Sequence, residues 1–388
     1  MPKPTYLDFP LMTTASPPVP LSNLSAEILW ADPARQQAFA AWLSGVAPAH
    51  GLRPGTVRPA SADASFRRYF RVDTDVGAGQ GSFIIMDAPP AKEDCRPFVA
   101  VDRLLDTGGV NVPHILEWDE AQGFMLLSDL GQHTFLSTVD MADLDHRPGS
   151  ANRARYLAAI DELLCVQAVP ADGLPLYDDA LLQRELDLLP DWYLTQLRGL
   201  TLSDADKAML SKTFALIKAE VLAQPVAFVH RDFHSRNLMV TPADPAARPG
   251  VIDFQDAVKG PLSYDLVSLL RDAYVIWDED IQLDYAVRYW EKARQGARQS
   301  GLNVPEDFAE FWRQFEWMGL QRHLKVLGIF ARLALRDGKQ QYLDDIPRVW
   351  TYAHRVASRY QGLGPLAHLL ERAEAAHGGT QTQVGYTF

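Results

Sequence analysis

A twelve-residue segment, VHRDFHSRNLMV at residues 229–240, constrains the fold of this chain more than any other feature. It places His230, Asp232 and Asn237 in one polar stretch between apolar runs that are typical of two short strands joined by a loop. Another short apolar run, GVIDF, carries Asp253 sixteen residues after Asn237, far enough along the chain for a hairpin to fold back. The sequence therefore predicts that these polar side chains meet at the ends of short strands.

Carboxylate and amide groups in this order suit phosphoryl transfer. Mg²⁺ takes hard oxygen ligands, and Asn237 and Asp253 offer an amide oxygen and a carboxylate oxygen to a metal ion on nucleotide phosphates. Asp232 then remains to orient a substrate hydroxyl and accept its proton. Each of these residues alone is common in ordinary turns, so the prediction rests on the ordered set rather than on any one member.

The pattern of the sequence changes along the chain and predicts an α+β fold with two lobes. Residues 1–52 are interpreted as an N-terminal extension, Pro-rich at first and then with one or two helices. Residues 53–128 hold short β-rich runs around one helical run, which predicts an N-lobe built on a small antiparallel sheet. Residues 129–377 have mostly helical periodicity and form the predicted C-lobe, and residues 378–388 form a loose polar tail.

Composition excludes several other classes of protein. The net charge of -12 argues against a nucleic-acid-binding surface, which needs clustered Lys and Arg. The two cysteines, Cys95 and Cys165, are too isolated to indicate a disulfide framework or a zinc site. No run of about eighteen apolar residues predicts a membrane span, and the first thirty residues do not read as a signal peptide. We therefore expect a cytoplasmic protein without nucleic-acid or membrane partners.

The segments VHRDFHSRNLMV and GVIDFQDAVKGPLSYDLVSLLRD together resemble the aminoglycoside phosphotransferase and choline-kinase-like family, small-molecule relatives of the protein kinases. The resemblance covers most of the chain and implies a bilobal protein-kinase-like fold with ATP in the cleft. It implies that Asp232 is the catalytic base and that Asn237 and Asp253 are the Mg²⁺ ligands. It also implies that Asp265 braces the catalytic loop, and we interpret His230 as a second structural brace.

Two further segments, SADASFRRYFRV and FIIMDAPPAKED, resemble a narrower group within that family, the anomeric sugar kinases of bacterial cell-wall recycling. This resemblance implies phosphorylation of the C1 hydroxyl of N-acetylmuramate or N-acetylglucosamine, with the product passed to a nucleotidyltransferase. Two alternatives stay open. One is a kinase of the same fold for an aminoglycoside, choline or methylthioribose, and the other is a nucleotide-binding pseudokinase that regulates a partner.

The predicted N-lobe departs from the kinase pattern because it lacks both a Gly-rich loop and the lysine of a V-A-I-K strand. Met86 or Asp87 stands where that lysine would be. The phosphates are expected to be held by the Asp63–Ser65 turn, by one of two successive arginines, Arg67 and Arg68, and by a nearby lysine. Adenine is expected at a hinge near residues 125–131. The residues predicted to contact the nucleotide are Ser65, Arg67, Lys92, Leu127 and Asp129.

The acceptor is expected in the C-lobe beside the catalytic loop. Sugar rings stack on tryptophan, and the lactyl carboxylate of N-acetylmuramate favours a bidentate arginine, for which Arg236 or Arg271 could serve. Tryptophan at helical spacing is also typical of a core, and that reading stays open. An aminoglycoside would need a strongly acidic pocket, and the sequence has no dense run of carboxylates there. The predicted acceptor contacts are His234, Arg236, Arg271, Trp277 and Gln321.

Overall fold

The structure of the protein is a computed structural model that describes residues 28–62, 66–75, 81–144 and 146–376. The chain divides into two compact units, the first running to Val99 and including Pro113–Asp129, and the second taking in Ala100–Val112 and the chain from Leu130. The first unit is built on an antiparallel sheet and the second is mostly helical. The predicted α+β fold class is confirmed.

A five-stranded sheet forms the centre of the first unit. Its strands are β1 (Arg58–Ala62), β2 (Arg68–Asp73), β3 (Ser82–Asp87), β4 (Ile115–Asp119) and β5 (Phe124–Ser128). They lie in the order β1-β2-β3-β5-β4, and every neighbouring pair is antiparallel. Because side chains alternate between the faces of a strand, Phe70 and Val72 of β2 share one buried face with Phe83 and Ile85 of β3.

A single helix, α1 (Pro33–His50), supplies the other half of this core. The Asp32 side chain accepts a hydrogen bond from the Ala34 N–H at 2.9 Å, and Pro33 opens the first turn. Phe39 and Leu43 are fully buried in the cluster that includes the sheet residues. The helix predicted within an N-terminal extension is therefore part of the first unit, and residues 1–27 of that extension lie outside the described residues.

Asp87 at the end of β3 is a buried carboxylate clamped by two arginines. It accepts hydrogen bonds from Arg35 Nε at 2.9 Å and Nη2 at 2.6 Å, and from Arg68 Nε at 3.0 Å. The Arg68 guanidinium also lies 4.1 Å from the centre of the Trp30 ring. These contacts occupy both Asp87 and Arg68 within the first unit, so Asp87 joins α1 to the sheet at one of the two positions where the kinase pattern would have its lysine.

Residues 100–112 belong to the second unit, and backbone hydrogen bonds of Asn111 connect them to other residues of that unit. The Asn111 N–H donates to Glu162 Oε1 at 2.7 Å, and the Asn111 carbonyl accepts from the Val251 N–H at 2.7 Å. Helix α2 (Arg96–Thr107) therefore crosses the division between the units. The sequence placed this segment with the sheet because strands flank it on both sides.

Helices make up most of the second unit. They are α3 (Phe135–Thr138), α4 (Ala151–Ala168), α5 (Asp179–Leu188), α6 (Asp204–Leu222), α7 (Tyr264–Leu270), α8 (Glu279–Ser300), α9 (Phe308–Leu335), α10 (Ile346–Arg359) and α11 (Gly364–Ala376). In the part of the chain that the structure describes, no helix is long and apolar enough to cross a membrane.

Two short antiparallel pairs of strands carry the polar segment into the second unit. Strand β6 (Val226–Val229) pairs with β9 (Val258–Pro261), and β7 (Leu238–Met239) pairs with β8 (Gly250–Val251). Of these four strands, the sequence predicts β6, β7 and β8. It does not predict β9, whose sequence VKGP has little β propensity because it contains Gly and Pro.

Helix α9 is the long central element of the second unit, and most of its residues from Phe315 to Ala334 are buried. At Gly328 the helix lies directly against the end of α5, where an added Cβ would come within 2.4 Å of the Leu188 carbonyl group. Any side chain at this position would force the two helices apart. After Leu188 the chain continues in a wider π-helical stretch, Leu189–Leu197.

Candidate active site

The polar segment forms a tight loop between β6 and β7, and a second loop follows β8. Arg231 in the first loop and Asp253 in the second have positive φ angles of 77° and 68°. Residues other than glycine seldom adopt this left-handed conformation, and such residues concentrate at functional sites. The backbone therefore has an uncommon conformation at Arg231, next to the predicted base, and at Asp253, one of the predicted metal ligands.

Asp265 in the first turn of α7 holds the first loop by its backbone. Its carboxylate is fully buried and accepts the His230 N–H at 2.7 Å on one oxygen and the Arg231 N–H at 2.9 Å on the other. Burial raises the pKa of Asp265 to about 7, although both N–H donors act to lower it. The geometry agrees with a bracing role, because these two bonds fix the chain immediately before Asp232.

His230 is the second group that fixes the loop. Its Nε2 lies 3.0 Å from the Ile252 carbonyl, and its Nδ1 accepts the Asp232 N–H at 3.2 Å. Burial lowers the pKa of His230 to about 4, so the ring is neutral near pH 7. These partners assign the proton to Nε2, which leaves His230 as a structural link between the two loops.

Asp232 presents a partly exposed carboxylate, with 45% of its side-chain surface accessible. Burial opposes ionisation, but the positive charges of Lys325 and Arg322 and the His234 ring outweigh it and lower the pKa of Asp232. His234 Nε2 is 4.0 Å from Asp232 Oδ1. Asp232 is therefore ionised at neutral pH and able to accept a proton.

Asn237 and Asp253 lie side by side. The Asn237 amide nitrogen donates to the Asp232 carbonyl at 3.0 Å and to Asp253 Oδ2 at 3.2 Å. Gln255 Nε2 donates to Asp253 Oδ1 at 3.0 Å. Since both amide protons of Asn237 are used, its oxygen is the atom it can offer to a metal ion. One carboxylate and one amide oxygen fit Mg²⁺, which keeps most of its ligands from water and phosphate.

The Glu185 carboxylate on α5 forms hydrogen bonds and ion pairs with side chains from three other segments. It accepts from Arg231 Nη2 at 2.8 Å and lies 2.8 Å from Lys325 Nζ. The Tyr177 hydroxyl donates to it at 2.5 Å and Gln321 Nε2 at 3.0 Å. Burial opposes ionisation of Glu185, yet Lys325 and Arg231 lower its pKa to about 2. This carboxylate joins the loop that carries Asp232 to α9, and no pattern in the sequence predicts that role.

A recess of about 530 Å³, including its open mouth, begins at Asp232. All of its lining residues belong to the second unit. They are Asp232, His234, Tyr264, Ala273, Tyr274, Arg322, Lys325, Val326, Ile329, Phe330, Leu333 and Tyr342. Half of these residues lie on α9 at helical spacings of three and four, so the periodicity of that helix was the signal that could have identified them.

The predicted acceptor contacts separate into two groups. His234 lines the recess, and the Arg236 guanidinium lies 3.7 Å from the ring centre of Tyr274, which also lines it. Arg271, Trp277 and Gln321 do not line the recess. All three are buried and bonded to other protein groups.

Their partners show what those three residues do in this structure. Arg271 Nε donates to Gln282 at 3.0 Å, and Trp277 Nε1 donates to the Tyr156 hydroxyl at 2.7 Å. Gln321 is a partner of Glu185, as described above. The structure therefore brings His234 to Asp232 and the recess, places Arg236 against a ring that lines the recess, and places the other three in the surrounding packing.

The predicted nucleotide contacts lie in the first unit, apart from Ser65, which is outside the described residues. Leu127 is buried in β5, and Asp129 just after it accepts from Arg71 Nε at 2.5 Å and from Ser82 Oγ at 2.6 Å. Arg67 is half-buried. Lys92 is exposed, with its ammonium 5.0 Å from the ring centre of Phe66. Contact of these residues with a nucleotide stays a prediction.

Comparison with known sequences gives both a family and close relatives. The sequence model described as the phosphotransferase enzyme family matches residues 56–302. An N-acetylmuramate/N-acetylglucosamine kinase of Neisseria meningitidis is 45% identical over 355 residues, which are 91% of this chain and 99% of the relative. A kinase of the same name from Pseudomonas aeruginosa is 44% identical over 347 residues, which are 87% of this chain and 97% of the relative.

Solved structures with the same fold are more distant in sequence. An ethanolamine kinase of Plasmodium vivax superimposes with a TM-score of 0.55 at 10% identity, covering 86% of this chain and 92% of that one. The GDP complex of aminoglycoside 2'-phosphotransferase-IIIa gives 0.52 at 15% identity, covering 83% and 99%. At these identities the likeness concerns the fold alone.

Proposed function

The chain belongs to the phosphotransferase enzyme family, and from this premise we propose that it transfers the γ-phosphoryl group of ATP to the anomeric hydroxyl of N-acetylmuramate and N-acetylglucosamine. The names of relatives at 44% and 45% identity, over most of both chains, support these acceptors. The choice of the C1 hydroxyl rests on the resemblance of SADASFRRYFRV and FIIMDAPPAKED to anomeric sugar kinases.

One observation carries this proposal: the carboxylate of Asp232, whose pKa is lowered by neighbouring cations, lines a recess that also holds aromatic and cationic side chains. In the proposed reaction the sugar O1 attacks the γ-phosphorus while Asp232 accepts its proton. The bond from that phosphorus to the β–γ bridging oxygen breaks, and ADP leaves. Because Asp265 and His230 fix the backbone on the N-terminal side of Asp232, the base is already oriented before substrate binds.

Asn237 and Asp253 would hold Mg²⁺ through the amide oxygen and the carboxylate. When bound, the ion would neutralise charge on the nucleotide phosphates. The contacts of Asp253 with Asn237 and Gln255 orient its carboxylate in advance. Asn237 directly precedes β7 and Asp253 comes shortly after β8, so the pairing of these two strands sets the separation of the two residues.

The lining of the recess favours an amino sugar over a polycation. Tyr274, Phe330 and Tyr342 form an aromatic wall, with ring centres 6.3 Å and 5.0 Å apart. Such rings pack against the apolar face of a sugar. Arg322 and Lys325 add two cationic side chains to the same recess. An aminoglycoside, which is itself polycationic, would meet like charge there.

The proposed product is a sugar 1-phosphate. A nucleotidyltransferase is the class of enzyme that converts a sugar 1-phosphate to a nucleotide sugar, and we propose one as the consumer of this product. The setting we propose is peptidoglycan recycling in the cytoplasm, where ATP is available.

An acceptor panel tests the proposal directly. ADP release would be measured with ATP and Mg²⁺ and with N-acetylmuramate, N-acetylglucosamine, kanamycin or choline as acceptor. We expect turnover with the two sugars and none with kanamycin or choline. Turnover with a control alone would leave a phosphotransferase with another acceptor, and nucleotide binding without turnover in any tube would favour a pseudokinase.

A further inference from the structure

Arg322 on α9 is a buried cation whose guanidinium has two donors without a hydrogen-bond partner among the described residues. Only 3% of its surface is exposed, and it lines the recess that begins at Asp232. Within the part of the chain that the structure describes, its Nε and Nη1 atoms are buried and have no hydrogen-bond partner. Burying a charged donor without an acceptor is costly, so an unmatched guanidinium in a recess indicates an anion that is supplied from outside.

The neighbouring buried cations show the contrast. Lys325, one turn further along α9, lies 2.8 Å from Glu185 and donates to the Tyr264 hydroxyl at 3.0 Å. Arg271 lies 3.5 Å from Glu316 and donates to Gln282 at 3.0 Å. Both therefore have their charge matched by protein groups. Among the described residues Arg271 also keeps one buried donor, Nη1, without a hydrogen-bond partner, but Arg271 does not line the recess, whereas Arg322 lines it and has two such donors.

We propose that Arg322 binds the carboxylate of the lactyl group of N-acetylmuramate and thereby determines the preference for this sugar over neutral N-acetylated sugars. The inference rests on the proposed function and names a specificity-determining residue for it. N-acetylmuramate differs from N-acetylglucosamine by a lactyl ether on O3, which carries one carboxylate. A planar guanidinium binds a carboxylate through two parallel N–H donors, which a lysine cannot do.

The arrangement of the recess permits both contacts at once. Asp232 and Arg322 line the same recess, and the charge of Arg322 acts on the Asp232 carboxyl. The C1 hydroxyl and the O3 substituent belong to one sugar ring, so a ring packed on Tyr274 and Phe330 can place its C1 hydroxyl at Asp232 and its lactyl group at Arg322. Of the two arginines that the sequence favours, Arg271 lies 3.5 Å from Glu316 and Arg236 lies against the Tyr274 ring, and neither lines the recess.

Three sugars and three variants test this assignment. The sugars are N-acetylmuramate, its lactyl carboxamide, which keeps the shape and removes the charge, and N-acetylglucosamine. The variants are Arg322→Gln, Arg322→Lys and Arg332→Gln, the last a matched control on α9 that does not line the recess. For each combination kcat and KM would be measured separately, and thermal unfolding would report whether each variant folds.

We expect the wild-type protein to prefer N-acetylmuramate to its carboxamide by about 10- to 100-fold in kcat/KM, the range for a charge-assisted hydrogen bond. Arg322→Gln should abolish this ratio, chiefly through a higher KM for N-acetylmuramate. Arg322→Lys should keep part of it, and Arg332→Gln should keep all of it. If Arg322→Gln does not fold, the wild-type ratio and the lysine variant decide the question.

Two results would overturn the inference while leaving the proposed function intact. One is a wild-type enzyme that phosphorylates N-acetylmuramate and its carboxamide equally well. The other is an Arg322→Gln variant that loses kcat to the same extent with all three sugars, which would assign Arg322 to the transferred phosphoryl group. A wild-type protein that phosphorylates none of the three sugars would overturn the proposed function and this inference with it.

Discussion

At the scale of single residues, the catalytic loop is fixed by bonds that cross between segments distant in sequence. Left-handed Arg231 and Asp253 each cost about 1–3 kcal/mol of backbone strain. The Asp265 carboxylate offsets that cost at the first position by accepting the Arg231 N–H, and the Asn237 and Gln255 side chains hold the Asp253 carboxylate at the second. The residues expected to do chemistry are thus held in part by Asp265 and Gln255, to which no chemical step is assigned.

Replacing the proposed base without changing its shape should abolish turnover. Asp232→Asn keeps the size of the side chain but cannot accept the proton, so we expect kcat to fall by about 10²- to 10⁴-fold. ATP affinity and thermal stability should be unchanged, because the bonds that fix the loop use the backbone of Asp232. Asp244→Asn, at an exposed position in the loop after β7, is the matched control. Wild-type turnover in Asp232→Asn would remove Asp232 as the base.

The plot of kcat/KM against pH should show no step from the titration of a histidine. Lys325, His234 and Arg322 overcome burial and lower the pKa of Asp232, so the base stays ionised as pH falls and is lost only below the usual aspartate range. Burial lowers the pKa of His234, which moves its titration to lower pH than that of an ordinary histidine. We expect kcat/KM to be flat between about pH 6 and 8. An acidic limb in that interval, absent in His234→Gln, would instead make His234 the titrating group.

At the scale of secondary-structure elements, the site depends on how α5, α9 and the strand loops meet around Glu185. Two cations from different elements, Arg231 and Lys325, share this one buried carboxylate. Gly328 permits the close approach of α9 to the end of α5. The recess next to Lys325 therefore depends on helix packing as well as on the catalytic loop.

Neutralising Glu185 should destabilise the fold. Glu185→Gln leaves Arg231 and Lys325 buried without a matching anion, so we expect a loss of about 3–5 kcal/mol in the free energy of unfolding. Urea unfolding followed by circular dichroism would measure it, with the exposed Glu310→Gln on α9 as the control. Equal unfolding midpoints for wild type and Glu185→Gln would contradict a shared counter-ion.

At the scale of the whole molecule, buried histidines and buried carboxyls should act on stability in opposite directions as pH changes. Burial lowers the pKa of His230 to about 4 and of His323 to about 3. The unfolded chain binds these protons below about pH 6.5, so this part of the stability is full above that pH and is lost as pH falls. Burial raises the pKa of Asp102 and Asp265 to about 7, so their part is full at acidic pH and is lost as pH rises through 7.

Single substitutions should separate these opposing contributions. Relative to wild type, His323→Gln should gain stability as pH falls from about 6.5, by up to about 1.4 kcal/mol per pH unit. Asp102→Asn should show the opposite slope, gaining relative to wild type as pH rises toward 7. Urea unfolding at half-unit steps from pH 4.5 to about 7 would measure both slopes. Parallel curves for wild type and His323→Gln would show that His323 has the same pKa folded and unfolded.

The sequence predicts those features of the molecule that depend on residues close together along the chain. The resemblance to the aminoglycoside phosphotransferase and choline-kinase-like family is confirmed, as is the α+β fold class. The loop that carries Asp232 and Asn237 and the strand that precedes Asp253 could be identified because their spacing lies within one short stretch of chain. The pairing of β7 with β8 then places Asn237 and Asp253 side by side.

What the sequence could not predict depends on packing between distant elements. Arg271 and Arg322 are both arginines near helical apolar runs, and only the packing of α9 shows that Arg271 has carboxylate partners while Arg322 lines the recess. Glu185 gave no signal because its partners lie up to 140 positions away along the chain. Periodicity does not reveal which sheet a helix covers, so the sequence predicts α1 within an extension and not within the core that it shares with the sheet.

Phosphoryl transfer to the anomeric oxygen would be visible in ³¹P NMR spectra of the reaction with N-acetylmuramate. The protein would be incubated with ATP and Mg²⁺ and either N-acetylmuramate or its 1-O-methyl glycoside, in which the anomeric hydroxyl is blocked. We predict a new phosphomonoester signal that is split by coupling to the anomeric proton, and no product from the glycoside. A phosphomonoester formed equally from the glycoside would contradict the account, because the acceptor would then be another hydroxyl.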